Sequence, residues 1–338
     1  MSSKNIDLLA TVANLYYNFN QSQAQIASRF DLSPSKVSRL IKEARERGIV
    51  EIHVHMPIPR DLELEQILMR DFCLKDAYVL KTSADTDDGL SLETLGKLAA
   101  IHLERVIDAL PAEASIGVAW GTDVHSVVNA LSSNPSRQID VVQLLGGVGS
   151  MLLDSPELGR TVAAKLGGHH HDLHAPFLVE KETARDAFLA EPVVQESFRR
   201  AKSVGLAIIG VGSVEDEASS FLRAGLVTRS NLAQLRVQGA VGEVCGQFID
   251  INGCNDEFEI NRRIIAISLD DLRYIPRVIA IAHGLPKAAS ILAAMRGKFL
   301  NALVTDDITA QAIIELAKTV PPAPDPDPID TPAEETLP

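Results

Sequence analysis

The chain has 338 residues and a formal net charge of −13, and 46% of its residues are hydrophobic. This length accommodates two domains, each with its own core. No apolar run reaches the roughly 18 to 20 residues that cross a bilayer, and the N-terminus lacks the features of a signal peptide. The cysteines, Cys73, Cys245 and Cys254, are too few and too widely spaced for a disulfide framework. Composition therefore predicts a cytoplasmic protein with no membrane partner.

Charge is spread unevenly along the chain. Residues 1–50 contain seven Lys or Arg and four Asp or Glu, whereas residues 321–338 contain five acidic residues and no basic one. The basic start permits DNA binding despite the acidic whole, because the electrostatic footprint depends on the local surface. The proline-rich, acidic segment 320–338 has almost nothing to bury and is predicted to be a disordered tail.

Residues 1–56 are predicted to form a small helical domain. Apolar residues recur at helical spacing over Ile6–Tyr17, which predicts a first helix with one buried face. Ser22 followed by Gln25 is a capping-box pattern and predicts the start of a second, short helix. The alternation of apolar and polar residues over 50–55 predicts a short strand that would close the domain as a wing.

The third helix of this domain is the predicted DNA-binding element, the recognition helix of a helix-turn-helix. Ser33 can cap it, and Pro34 takes the first helical position, where a missing N–H costs nothing. Its outward face suits a major groove, with Lys36 or Arg39 reaching base edges and the other side chains contacting phosphates. The alternative is an ordinary solvated face of a three-helix unit. The predicted DNA contacts are Gln25, Ser33, Ser35, Lys36, Ser38, Arg39 and Lys42.

A large α/β, Rossmann-like domain is predicted for residues 75–319. It follows a helix in residues 57–74, which we interpret as a linker or a subunit contact. Strand-like runs alternate with helical stretches, a rhythm typical of a largely parallel sheet covered on both faces. The predicted strands include Ile116–Trp120, Ile139–Leu145, Val204–Ile209, Arg262–Ile267, Arg277–Ala282 and Asn301–Val304.

Glycine-rich sequences follow three of these strands. Gly121 and Thr122 open a helix after the first, Gly146 and Gly147 follow the second, and Gly212 follows the third. Such strand ends converge at the carboxyl edge of an open α/β sheet, where ligands bind, although glycine turns also serve packing in any α/β fold. No cluster completes the dinucleotide-binding pattern, so we predict a small effector and no cofactor.

Two further polar residues stand near strand ends. The carboxylate of Asp250 could accept hydrogen bonds from vicinal hydroxyls, and the ammonium of Lys287 could pair with a phosphate. The alternative for each is a surface salt bridge. The predicted effector-binding residues are Gly121, Thr122, Asp123, Gly146, Gly147, Gly212, Asp250 and Lys287.

Four histidines within 169–174 suggest a metal site at first sight. Consecutive residues of an extended segment point to opposite faces, so only His169 and His171 would share a side, and no nearby Cys or helical His pair completes a ligand set. We therefore predict no metal here and interpret the segment as a loop leading into a strand that ends at 175–176.

Together these residues resemble the SorC/DeoR-type family of sugar-binding bacterial transcription regulators, over essentially the whole chain except the tail. The resemblance implies an effector domain related in fold to sugar-phosphate isomerases, which binds a sugar, polyol or sugar phosphate and thereby alters operator affinity. It also implies assembly into homodimers or homotetramers. The resemblance is carried by Gln25–Ala27, Leu32–Leu40, Val118–Thr122, Leu145–Gly147, Gly239–Glu243, Ile281–Ala288 and Leu303–Asp306.

The function predicted on this basis is repression of a carbohydrate or polyol catabolic operon. Asp123 directly after Gly-Thr disfavours a phosphate at that helix start, and His283 stands in the turn before Lys287, so an uncharged polyol or sugar is an open alternative. A second alternative is a sugar-phosphate isomerase-like enzyme, in which Glu243, His283 and Lys287 would transfer protons. Catalysis would not need the helix-turn-helix. A third alternative is an α/β protein whose helical head binds another protein.

Overall fold

A computed structural model describes four stretches of the chain, residues 3–50, 58–82, 88–149 and 155–322. The chain divides into two compact units, Met1–Pro57 and Ile58–Pro338. Nearly all of the strand predicted at 50–55, and the predicted tail from 323 onward, lie outside the described residues. No helix within the described stretches is long and apolar enough to span a bilayer.

Over residues 3–50 the first unit has three helices, and the starts of the second and third are fixed by caps. At the second helix the Ser22 hydroxyl accepts from the Gln25 N–H at 3.3 Å, and the Ser22 N–H donates to Gln25 Oε1 at 2.8 Å. At the third helix the Ser33 hydroxyl accepts from the Lys36 N–H, and Pro34 is the first helical residue. Both predicted helix starts are confirmed. The helices are α1 (Ser3–Tyr17), α2 (Gln23–Phe30) and α3 (Pro34–Glu46).

All three helices contribute to one apolar core. Leu9 of α1, Ile26 of α2 and Val37 of α3 are fully buried, and Leu40 and Ile41 of α3 are nearly so. The apolar side chains of α3 recur at helical spacing, so this helix packs one face inward and presents the other to solvent. The core therefore supports α3 as an amphipathic helix on the surface of the unit.

The second unit is a sheet of nine strands, counted over the described residues, with flanking helices. The strands are β1 (Asp76–Leu80), β2 (Ile116–Val118), β3 (Ile139–Gln143), β4 (Gly167–His171), β5 (Leu206–Ser213), β6 (Ala240–Val244), β7 (Gln247–Asp250), β8 (Arg277–Ile281) and β9 (Ala302–Asp306). The helices are α4 (Leu62–Asp71), α5 (Asp88–Asp108), α6 (Thr122–Ala130), α7 (Ser155–Leu166), α8 (Glu182–Ala190), α9 (Pro192–Lys202), α10 (Ser220–Arg223), α11 (Arg229–Val237), α12 (Leu269–Arg273), α13 (Ala288–Arg296) and α14 (Asp307–Thr319), with 3-10 turns at Pro135–Arg137, Glu259–Arg263 and Leu285–Lys287.

Seven strands form a parallel sheet in the order β1-β9-β8-β5-β2-β3-β4. The remaining two form an antiparallel arm, in which β6 pairs with the end of β5 and β7 pairs with β6. Parallel strands point their carboxyl ends to the same edge, so the loops after β2, β5, β8 and β9 lie close together. The predicted α/β class with a largely parallel sheet is confirmed.

Both faces of the sheet are buried. On β5, Leu206 and Ile208 belong to one apolar cluster, whereas Ala207 and Ile209 belong to the cluster on the opposite face. Helices α5, α6 and α7 cover the first face, and α4, α13 and α14 contribute to the second. This double burial explains why the strands are continuous apolar runs rather than alternating patterns.

Two predicted strands are wrong. Residues Arg262–Ile267 do not form a strand, because 259–263 is a 3-10 turn and the rest makes only single bridges, Ile264 to Leu178 and Ala266 to Leu145. Residues 175–176 make only one bridge, from Pro176 to Gly147. The histidine segment expected to be a loop is instead strand β4, which pairs with β3 at the edge of the sheet.

The helix predicted in residues 57–74 belongs to the second unit, as α4. The carboxylate of Glu65 is almost fully buried and accepts from the Val79 N–H of β1 at 2.9 Å and from Arg60 Nε at 2.7 Å. A buried carboxylate with these donors is costly to withdraw. The Glu65 carboxylate thus holds α4 against β1 through a buried hydrogen bond.

Candidate functional site

Four ionisable side chains gather at the carboxyl edge of the sheet. Asp123 lies in the first turn of α6 after β2, Glu243 lies on β6, and His283 and Lys287 lie between β8 and α13. They come together because β2 and β8 flank β5 and β6 pairs with the end of β5. The topology of the sheet therefore positions all four.

Asp123 is the centre of this group, and only 4% of its side chain is exposed. Its Oδ1 lies 2.6 Å from His283 Nδ1, and its Oδ2 accepts a hydrogen bond from Lys287 Nζ. Burial alone would raise the pKa of Asp123, but the Lys287 ammonium and the contact with His283 hold it below its usual value. Asp123 is thus a buried anion, and it neutralises Lys287 locally.

Glu243 is buried beside Asp123 and Lys287, but its pKa is shifted in the opposite direction to that of Asp123. Its Oε2 accepts from the Gly246 N–H at 2.7 Å, and its Oε1 faces Gly212, where an added Cβ would lie 2.0 Å away. Burial raises the pKa of Glu243 to about 7, although the Gly246 N–H and the charge of Lys287 oppose the rise. At neutral pH the carboxyl therefore exists in both charged and uncharged forms, and a side chain at residue 212 would displace it from its present position.

A small cavity lies among these groups. The volume open to the centre of a water molecule is about 10 Å³, which is room for about one water. Trp120, the only tryptophan in the chain, forms one wall and packs on Phe177 and Phe221 with ring centroids 5.5 and 5.7 Å apart. The lining residues are Trp120, Gly121, Thr122, Asp123, Gly210, Val211, Gly212, Ser220, Glu243 and Lys287.

Five of the residues predicted to bind an effector line this cavity: Gly121, Thr122, Asp123, Gly212 and Lys287. The predicted set omits three polar neighbours, Glu243, Ser220 and His283. A signal for two of them exists in the sequence, since Glu243 interrupts an apolar strand and His283 directly follows one. Ser220 carries no such signal, because it reaches the cavity from the short helix α10, far from any strand end.

Gly146 and Gly147 lie elsewhere, against the 175–177 segment. The Gly146 N–H donates to Ile265 O and the Gly147 N–H donates to Ala175 O. A Cβ at Gly146 would lie 2.4 Å from Pro176 O. These glycines permit a close approach of two backbones, and their N–H groups are already engaged.

Asp250 lies at the opposite edge of the sheet from the cavity. Its Oδ1 accepts from the N–H groups of Asn252 and Cys254, so it shapes the turn after β7. Asn252 lines a groove together with Lys75 and Asn301, which immediately precede β1 and β9. The convergence expected for Asp250 does not occur: Asp250 does not line the cavity, and its carboxylate is engaged within its own turn.

The predicted DNA-binding residues lie in the first unit, and most share the outer face of α3. Arg39 Nε is 3.4 Å from Ser35 O, and Lys42 Nζ is 3.7 Å from the carboxylate of Glu46. Gln25 and Ser33 are exposed too, but their side-chain oxygens already serve as helix caps. The exposed residues of α3 in this set are Ser35, Lys36, Ser38, Arg39 and Lys42.

The histidines of β4 have structural contacts. His171 Nε2 lies 3.0 Å from Asp140 Oδ2. The ring of His170 fills the space beside Gly159, where an added Cβ would lie 2.3 Å from Nε2. Among the described residues, no group of three or more His, Cys, Asp or Glu side chains is arranged to hold a metal ion.

Comparison with known proteins places this geometry in context. Residues 56–315 match the family described as "Putative sugar-binding domain". The chain is 30% identical to the deoxyribonucleoside regulator of Bacillus subtilis, over 93% of this chain and 99% of that protein. The crystal structure of the full-length sorbitol operon regulator SorC from Klebsiella pneumoniae is similar, with a TM-score of 0.76 and 30% identity over 93% of this chain and all of that chain. A DeoR family transcriptional regulator from Listeria monocytogenes has a TM-score of 0.69 at 28% identity, over 75% of this chain and 98% of that one.

Replacing Lys287 with Met should destabilise the protein by about 3 kcal/mol, because the Asp123 carboxylate stays buried with only His283 as a partner. The double variant Asp123→Asn/Lys287→Met should recover most of this loss, since no charge is then stranded. Urea unfolding of the two single variants and the double variant measures the coupling. Strictly additive effects would contradict a direct interaction between the two side chains.

Stability should depend on pH through Glu243. Between pH 4.5 and about 7 the folded protein binds a proton that the unfolded chain releases, so the free energy of unfolding falls as pH rises through this window. Each unit of raised pKa corresponds to about 1.4 kcal/mol. Glu243→Gln removes the titration, so its stability relative to the parent should increase from pH 5 to pH 8. A constant difference across that range, measured by denaturant unfolding, would show that Glu243 titrates normally.

Proposed function

We propose, since the chain belongs to the SorC/DeoR-type family of sugar-binding bacterial transcription regulators, that it represses a carbohydrate or polyol catabolic operon. Its first unit is a helix-turn-helix that binds operator DNA. Its second unit binds a sugar, polyol or sugar phosphate, and binding changes operator affinity. The working form is a homodimer or homotetramer, because paired recognition helices read paired half-sites.

The observation that carries the DNA-binding proposal is the outer face of α3. Its side chains are short hydroxyls and long cations, exposed on a helix that is capped at its start and supported by a buried core. Arg39 makes no ion pair within the described residues, so its guanidinium can form the paired hydrogen bonds that read guanine. Residues 1–50 carry a net positive charge in a chain of net charge −13, which concentrates attraction for phosphate on this unit.

The cavity at the carboxyl edge supports the effector-binding proposal. Carboxylates, hydroxyls and backbone groups line it, and this is the chemistry that binds sugar hydroxyls. Trp120 adds an aromatic wall, which packs well against the apolar face of a sugar ring. The cation at the cavity, Lys287, already contacts Asp123, and so does the His283 ring. Among the described residues at the cavity, no uncommitted positive charge is then left for a phosphate group, so we expect an uncharged sugar to bind better than its phosphate ester.

The size of the cavity suggests how binding is coupled to DNA affinity. A volume that holds about one water cannot accept a sugar unless its walls move. Lys287 lines the cavity and donates to Asp123, and a ligand that accepts from Lys287 would share this donor with Asp123. A ligand that binds only the opened form shifts the protein toward that form.

The enzyme alternative is not retained. Three relatives that align with 92% or 93% of this chain are named as a deoxyribonucleoside regulator, a sorbitol operon regulator and a transcriptional regulator. The prediction that this protein is a regulator and not a sugar-phosphate isomerase is therefore confirmed at the level of the family.

Arg39→Ala should weaken operator binding by about 1 to 3 kcal/mol, because a bidentate contact to a base is lost. Arg39→Lys should keep much of the non-specific affinity and lose discrimination between operator and random DNA, since an ammonium lacks the planar fork. Fluorescence anisotropy on both DNAs at several salt concentrations measures both terms. Lys181→Ala, an exposed lysine of the second unit, is the matched control. Unchanged operator affinity in Arg39→Ala would remove this face from the interface.

Sugars and polyols, each tested beside its phosphate ester, should include a compound that raises the unfolding midpoint and perturbs the fluorescence of Trp120. A ligand that binds only the folded protein stabilises it by mass action, by about 2.7 kcal/mol at 100 times its dissociation constant. We expect the uncharged form to give the larger shift.

Lys287→Ala should abolish the shift while leaving affinity for the operator intact without effector. A normal shift in Lys287→Ala would place the effector elsewhere. A shift confined to phosphate esters would contradict the expected preference for an uncharged ligand, but it would still support an effector site in the second unit.

A further inference from the structure

A second, larger cavity runs along the amino edge of the sheet, on the side opposite to the candidate effector site. We call it the amino-edge groove. It has a volume of about 1070 Å³, and its walls come from the ends of α4 and α13, from α14, and from the residues just before β1, β8 and β9. The lining residues are Asp71, Phe72, Cys73, Lys75, Asn252, Arg273, Tyr274, Ile275, Pro276, Met295, Arg296, Lys298, Leu300, Asn301, Ile314, Ala317, Lys318 and Pro322.

The amino-edge groove is basic although the protein is acidic. Its walls carry five Lys or Arg side chains and one acidic side chain, Asp71, in a chain of net charge −13. Asp71 is already paired with Arg70, which lies outside the groove. The groove therefore concentrates positive charge that the rest of the surface lacks.

Three of these cations have no carboxylate partner within the described residues. Lys75 donates to Pro276 O, Arg296 donates to Ile251 O and to Val320 O, and Lys298 has no ion pair. Other surface cations of the chain do pair with acids, as Lys97 does with Glu93. A cluster of uncompensated cations is a site for an anionic partner.

The chain itself supplies such a partner next to the groove. Pro322 lines the groove, and the 16 residues after it, 323–338, contain five acids, no base and five prolines. At about 3.1 Å per residue in the extended conformation that prolines favour, this segment reaches about 50 Å. It also carries two large apolar side chains, Ile329 and Leu337, which match the apolar parts of the groove walls.

We propose that the C-terminal segment 323–338 docks into the amino-edge groove of its own chain, with its acids facing Lys75, Arg296 and Lys298. Docking within one chain is favoured because the segment starts at the groove, so its effective concentration there is high. The hydrogen bond from Arg296 to Val320 O already holds the chain at the groove just before the segment begins. Two other occupants of the groove, the segment of a second copy and a small anion, are distinguished from this one by the test.

Cys73 makes the proposal measurable in the full-length protein. It is an exposed thiol that lines the groove, whereas Cys254 is an exposed thiol outside it and Cys245 is buried. A docked segment should shield Cys73 from iodoacetamide. Replacing the five acids, Asp325, Asp327, Asp330, Glu334 and Glu335, with Asn or Gln should speed alkylation of Cys73 by about tenfold, which corresponds to 1.4 kcal/mol. Peptide mass spectrometry measures both exposed cysteines in one sample, and Cys254 should not change.

Lys298→Glu separates shielding from simple electrostatics. Added negative charge near a thiol slows its reaction by disfavouring the thiolate, yet this variant should speed alkylation of Cys73, because it expels the acidic segment. Lys298→Gln should act in the same direction with less perturbation of the fold. Lys181→Glu, with the same charge change at an exposed lysine outside the groove, should have no effect. Higher ionic strength should also speed alkylation, since salt screens exposed charges.

Equal alkylation of Cys73 in the parent and in the variant with five amides would overturn the proposal. Protection that disappears on serial dilution would assign the docked segment to a second copy and overturn docking within one chain. Protection that persists in the variant with five amides but is lost on exhaustive dialysis would assign the groove to a small anion and would equally overturn it.

Discussion

The structure at the carboxyl edge depends on one constraint, the burial of a charged carboxylate. Asp123 cannot lie 4% exposed inside the protein unless partners compensate for the hydration it loses. Lys287 and His283 supply that compensation from the turn after β8, and this contact ties the start of α6 to the start of α13. Most of the candidate effector site is arranged around this contact.

Glu243 complements the contact between Asp123 and Lys287, because it is near its midpoint of ionisation at neutral pH. A buried acid in this state can accept a hydrogen bond from a ligand as an anion or donate one as a neutral acid. Next to it, Lys287 is committed to Asp123 and Gly212 leaves room for the carboxyl. The site therefore combines fixed charge with one adaptable group, an arrangement that suits recognition of hydroxyls more than catalysis. A regulator needs reversible binding, and nothing in this arrangement demands a fixed proton acceptor.

Much of this could be predicted from the sequence because parallel strands buried on both faces are continuous apolar runs, as in β5 and β8. The strand ends at Gly121 and Lys287 were recognisable for the same reason. Asp250 was misplaced, since no local signal distinguishes an antiparallel arm from another parallel strand. Strand β4 was missed because its Gly and His residues lack apolar character, and it is stable at the sheet edge through pairing with β3. Tertiary pairing, which local patterns do not record, decided these cases.

Helix α13 joins the two edges of the sheet. It begins at Ala288, directly after Lys287, and ends at Arg296, whose guanidinium lies in the amino-edge groove, about 13 Å away at 1.5 Å per residue. Seven of its nine residues are buried, so it is held as a rigid rod rather than a flexible connection. A displacement of the whole helix would move both ends, and thermodynamic linkage would make any such influence act equally in both directions. Through this helix, occupancy of the amino-edge groove and occupancy of the effector cavity would each change the affinity of the other site.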